Sequence, residues 1–312
     1  MRTSRSFRSF AIVLTALAMA SLSGCATAGA SPSSNPTIAA TPEVTIAPTP
    51  DACAKANLKT LTAGKLTVGA DNPAYPPYYE PSDPKPAGSV WELGEPTNGK
   101  GLEAETAYAV AKQLGFTNDE VVWVPVPFDN AIQPGPKTFD IYLSQISYSA
   151  DRAKAVDLSD GYFDLNQSVV ALKDNAISKV TTVAGLAAFK LGAQALTSSY
   201  SYITDQIKPT TPASGYDTNE LAIAAVNAGQ IDGIVVDLPT AFYITGSGEL
   251  ENSVIVGSLP TAGTVEHFSI GLDLASSLTP CVNAALAAMK ADGTLAGIVT
   301  DSISTQGAPE LK

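Results

Sequence analysis

Basic chemistry is scarce in this chain: one histidine, three cysteines and 18 lysines plus arginines stand against 30 aspartates plus glutamates in 312 residues. A lone histidine excludes most His-based metal sites and weakens any Ser-His-Asp arrangement. The net charge of −12 disfavours a phosphate-backbone partner, so no nucleic acid is expected. Enzyme signatures are missing too. There is no P-loop lysine, CxxC, GxSxG or HExxH, and Gly99-Lys-Gly101 lacks the rest of a dinucleotide fingerprint. No catalytic residue, metal or cofactor is therefore expected. What is present, 45% hydrophobic residues over a length that suits about two domains, excludes wholesale disorder.

The N-terminus reads as an address. Arg2, Arg5 and Arg8 precede an uncharged apolar run over 10–23, too short for a span of about 20 apolar residues but laid out like a secretory signal. Leu22-Ser-Gly-Cys25 then resembles a bacterial lipobox, whose cysteine becomes lipidated and N-terminal. A palmitate-bearing Cys25 is expected, with an ordinary signal peptide and an incidental cysteine as the alternative. Removing the signal peptide, 1–24, would leave 288 residues (312 − 24) at a charge of −15 (−12 − 3). Residues 25–53 follow, rich in Ala, Thr, Ser and Pro, with Glu43 the only charge before Asp51. Such a stretch buries too little apolar surface to offset its ordering entropy and reads as a spacer. The protein is thus expected outside the cytoplasm, tethered to the cell membrane. An odd cysteine count in an exported chain needs a reason. With Cys25 acylated, Cys53 and Cys281 remain, either as a disulfide across the ends of the folded part or as two buried thiols.

From residue 58 onward, strand-like and helix-like segments alternate, which implies parallel βαβ units and an α/β fold. Strands are expected at 66–70, 121–124, 139–143, 169–172, 190–194, 231–236, 254–257 and 268–272. Helices are expected at 102–115, 182–188, 199–207, 218–228 and 277–291, with one more from 293.

Four separated segments, read together, resemble the extracellular solute-binding proteins of polar-amino-acid ABC transporters. They are Val68-Gly-Ala-Asp-Asn-Pro-Ala-Tyr-Pro-Pro-Tyr-Tyr79; Val124-Pro-Val-Pro-Phe-Asp-Asn130; the run from Phe139 through Ser147 and Arg152 to Phe163; and Ala228-Gly-Gln-Ile-Asp-Gly-Ile-Val-Val-Asp237. Lys290-Ala-Asp-Gly-Thr-Leu295 is similar to that family's C-terminal helix pair. The resemblance covers about 58–298. It implies a type II periplasmic-binding-protein-like fold: two α/β lobes joined by two crossover strands, lobe one over 54–163 plus 258–312 and lobe two over 164–257.

An amino acid presents a carboxylate and an ammonium a few ångströms apart, and burying either unpaired costs several kcal/mol. The resemblance assigns the carboxylate to Arg152, a planar and permanently charged fork. Read without it, Arg152 is a surface cap on a short helix. Thr197 and Ser198, at a helix start, would add donors, although the family usually has Gly where Leu196 stands. The ammonium falls to Asp237, with Ser147 and the carbonyl of Gln145 completing the cage; alternatively Asp237 merely caps the helix opening at Leu238-Pro239. Tyr75 and Phe128 would sandwich the guest's stem, while Tyr78 and Trp91 either help or pack. Asp71 would face a cationic side chain or simply order its turn. The expected guest is a polar neutral or basic amino acid, bound by a monomer and delivered to ABC permease subunits. An enzyme on the same scaffold, such as a dehydratase acting on a cyclic amino-acid precursor, and a sensor without a permease are the alternatives.

Overall fold

The computed structural model describes residues 52–303 and 307–312. Cys25, the signal peptide and nearly all of the spacer lie outside them.

Two mixed sheets carry the chain. The first has the order β2-β1-β3-β12-β4, built from β1 (Leu66–Ala70), β2 (Val121–Pro125), β3 (Ile141–Tyr142), β4 (Asp157–Leu158) and β12 (Gly271–Leu272). The second has the order β10-β6-β9-β7-β8, from β6 (Gln167–Leu172), β7 (Leu191–Gln194), β8 (Ser214–Tyr216), β9 (Gly233–Asp237) and β10 (Ser253–Ser258). Between them, β5 (Phe163–Leu165) and β11 (Glu266–Phe268) pair antiparallel as the two strands that carry the chain across and back. The sheets are not wholly parallel as the alternation suggested. β12 runs antiparallel to β3 and β4, and β6 antiparallel to β9 and β10, because each follows a crossover rather than a helix.

Each lobe has its own core. In the first, fully buried Leu66, Val68 and Ala70 of β1 pack with α1 (Leu102–Gln113), α6 (Thr279–Ala291) and α7 (Thr294–Ser302). Helix α1 forms where Ala104, Ala107, Val110 and Ala111 fall on one face, and it stops before Gly115, whose φ of +85° favours glycine. In the second lobe, β6 alternates: Val169 and Ala171 enter one cluster and Val170 the other, where α4 (Asn219–Asn227) and α5 (Leu238–Ser247) lie. Among the described residues the α-helices not yet named are the short α2 (Phe128–Ile132) and α3 (Ser198–Tyr202).

The disulfide is formed: Cys53 and Cys281 join across 228 positions, with Cα atoms 5.3 Å apart. It ties the start of the folded part to α6.

The chain's last residues correct the expected division. The expected division places them in lobe one, yet Ser258 N–H donates to the Pro309 carbonyl (2.8 Å), Leu311 N–H to the Ser258 carbonyl (2.9 Å), and Leu311 is buried in the second lobe's core. An apolar side chain within reach of an open β10 edge decides the matter. The expected helix over 199–207 also changes midway. It is α3 followed by a wider π-turn at Ile203–Ile207.

Candidate functional site

The C-terminal ends of strands from both sheets open onto one cavity, the position where α/β sheets hold ligands on general grounds. From the first lobe, the segment after β1 brings Asp71 and Tyr75. The turn after β2 brings Phe128, and the segment after β3 brings Gln145, Ser147 and Arg152. From the second lobe come Thr197 and Ser198 at the start of α3, Glu220 at the start of α4 and Asp237 at the start of α5. All nine residues singled out from the sequence line this cavity.

The segment after β1 is pinned. Ala74 N–H donates to the Glu92 carbonyl (3.0 Å), Gly94 N–H returns to the Ala74 carbonyl (2.8 Å), and the Tyr79 hydroxyl reaches the Leu143 carbonyl (2.8 Å). Trp91 is core, standing edge-on to Trp123 at 6.5 Å. Tyr78 is fully buried and does more: its hydroxyl donates to Asp237 Oδ1 across the lobe boundary.

Arg152 Nη1 donates to the Ser147 carbonyl in its own lobe, and Nη2 to the Leu196 carbonyl of the other at 2.8 Å. Phe128 lies under the guanidinium, 5.7 Å from ring centre to Cζ, at cation–π distance. Burial pulls the arginine below its ordinary pKa, with the Glu266 charge opposing. Leu196 adopts φ +64°, in the left-handed region that favours glycine. The turn is therefore kept with a β-carbon in it.

Asp237 does cap α5: Oδ1 accepts from Thr240 N–H at 3.0 Å as well as from Tyr78. Burial raises its carboxyl above the usual aspartate value. Thr197 is more occupied than the sequence suggested. Its hydroxyl accepts from Tyr200 N–H (3.2 Å) and donates to the Gln194 carbonyl (2.7 Å), so its proton is already committed. Ser198 Oγ donates to Ser147 Oγ at 3.2 Å, a further bond between lobes.

Two acids escaped the sequence reading. Glu220 lines the cavity and accepts the Tyr75 hydroxyl. Glu103, on the first turn of α1 and fully buried, accepts Gln145 N–H (2.6 Å), Gln145 Nε2 and the Tyr162 hydroxyl (2.5 Å). That grip holds Gln145 at φ +52°. Burial pushes the Glu103 carboxyl up to about 7, against these hydrogen bonds that lower it. Asp71 is likewise pushed up to about 6 by burial, with Glu220 and Asp129 adding like charge and the Asn72 N–H opposing. Among the described residues no cluster of His, Cys, Asp or Glu is placed to hold a metal, and no helix is long and apolar enough to cross a membrane. His267 stacks on Tyr148 at 5.5 Å, which gives it a packing role.

Two lobes, two crossover strands and a cavity between strand ends define the type II class of periplasmic-binding-protein-like folds. Residues 66–303 match the family of bacterial extracellular solute-binding proteins, family 3, and the chain belongs to it. It is 28% identical over 201 residues to the ABC transporter arginine-binding protein 1 of Escherichia coli (strain K12), covering 62% of this chain and 77% of that one. Among solved structures it is similar to an ancestral amino-acid-binding protein, AncCDT-1, described as a precursor of cyclohexadienyl dehydratase. There the TM-score is 0.60 at 27% identity, over 77% of this chain and 96% of that one. An ancestral arginine-binding protein bound to glutamine gives a TM-score of 0.61 at 26% identity, over 76% and 96%. As a member of that family the chain is a solute-binding protein.

Proposed function

We propose that the chain is a lipid-anchored receptor that takes a polar amino acid between its lobes and presents it, as a monomer, to an ABC permease. Cys25 would carry the lipid, and the spacer over 25–53 would hold the lobes off the membrane. One observation carries the reading: a guanidinium from the first lobe and a carboxylate from the second, Arg152 and Asp237, line the same cavity. The guest's carboxylate would take Arg152. Its ammonium would take Asp237, whose Oδ1 already serves the cap and Tyr78, so Oδ2 is the oxygen to offer. Ser147 and the carbonyl of Gln145 would complete the cage. Thr197 and Ser198 would contribute main-chain N–H groups at the helix start, and Tyr75 with Phe128 would border the stem. A guest touching both lobes binds the closed form better than the open one. Moving a mostly open population to a mostly closed one takes about 5 kcal/mol of such preference.

Calorimetric titration with each of the twenty amino acids tests this. One-to-one binding of a small polar subset, with the guest recovered unchanged, is the expected result. Turnover of the guest, or no binding by any of them, would overturn it.

A further inference from the structure

The cavity holds more negative charge than an amino acid's two backbone poles require. Its lining contains three carboxylates, Asp71, Glu220 and Asp237, against one guanidinium, Arg152. A neutral zwitterion pairs Arg152 and Asp237 and leaves Asp71 with the like charge of Glu220 nearby and no cation between them. Their neighbours separate these four groups into two poles. The Glu266 charge acts on both Arg152 and Asp237, whereas Asp71 feels Glu220 and Asp129.

We infer that Glu220 is a specificity-determining residue that, with Asp71 opposite, clamps the cationic end of a basic amino acid's side chain. This rests on the amino-acid reading above and names the guest's class. Glu220 is well placed for it. It sits in the first turn of α4 on the second lobe, where Thr218 caps the helix through Leu221 N–H (3.4 Å). The hydroxyl of Tyr75, from the first lobe, donates to its Oε1 and so fixes one oxygen at the boundary. Asp71 belongs to the first lobe and Glu220 to the second, so a cation between them adds affinity in the closed form only. Side-chain recognition and closure thereby become one event. A guanidinium or ammonium on a three- or four-carbon stem supplies the charge the cavity lacks, and a neutral amide of equal length does not.

Arginine and citrulline, its neutral ureido isostere, are the probes, titrated calorimetrically at pH 7.5 into the wild type, Glu220→Gln and Glu92→Gln. Glu92 is exposed on the rim beyond this cavity, so Glu92→Gln removes the same charge from the wrong place. A charge-assisted contact of this kind is worth roughly 10–100-fold in affinity. The wild type should therefore prefer arginine by about 30-fold or more, Glu220→Gln by about 3-fold at most with citrulline affinity kept, and Glu92→Gln should match the wild type within about 2-fold. Retained citrulline binding is the check that Glu220→Gln has folded. An unchanged preference in Glu220→Gln, an equal loss of both guests, or a matching drop in Glu92→Gln overturns the assignment while leaving amino-acid binding intact. A wild type that binds no amino acid overturns the reading beneath it as well.

Discussion

The two lobes present their halves of the cavity by different means. The first uses irregular segments held by buried aromatic rings, by Glu103 and by a disulfide that closes a long loop. The second uses helix starts: Thr197, Thr218 and Asp237 each cap a helix with their own side chain, and α3, α4 and α5 all begin at the cavity. A segment without regular structure must have its backbone groups satisfied one at a time, whereas a helix start brings its geometry with it. The first lobe should therefore depend on remote supports, and the second on local caps.

The largest effect should come from removing the staple. Replacing Cys53 and Cys281 together by serine should cost roughly 2–5 kcal/mol in the chain-entropy picture for so long a loop. Hydrogen exchange should show the loss in α1, α6 and β1 while β6 and β9 keep their protection; equal loss in both lobes would break the comparison. Next, Arg152→Ala should weaken amino-acid binding by about 100-fold or more, because it strands a buried carboxylate. Its melting temperature should stay within a few degrees, and collapse instead would reassign Arg152 to architecture. Asp237→Asn sharpens the contrast, since asparagine caps as well as aspartate does. Affinity should fall about ten-fold while the stability of α5 holds. A last contrast concerns the buried Glu103. Its folded pKa of about 7 stands above the ordinary 4.5, so the stability it contributes is complete below pH 4.5 and lost as pH rises to about 7. Urea unfolding across that range should show stability declining, with a flatter profile in Glu103→Gln; an unaltered slope would remove Glu103 as the cause.

Legibility in the sequence followed the same divide. Asp237 before Leu238-Pro239 announces a helix start by itself, and Arg152 lies in an ordered run after a recognisable strand. Glu220 was hidden because β8 is only Ser-Gly-Tyr, with no apolar run to mark a strand, so the helix after it could not be aimed at a site. Glu103 looks like the polar face of an amphipathic helix. Its burial depends on Gln145 and Tyr162, 42 and 59 positions away, and no local pattern encodes that. The crossed lobe boundary at 309–312 is likewise a long-range pairing with β10.

The acceptors chosen for Arg152 have one more effect. Main-chain oxygens, one from either side of the crevice, orient the fork without cancelling it, since each bears only a fraction of an electron's charge. The cation is thus aimed yet still whole. Among the described residues no salt bridge holds Arg152, so an anionic group arriving there has none to displace first.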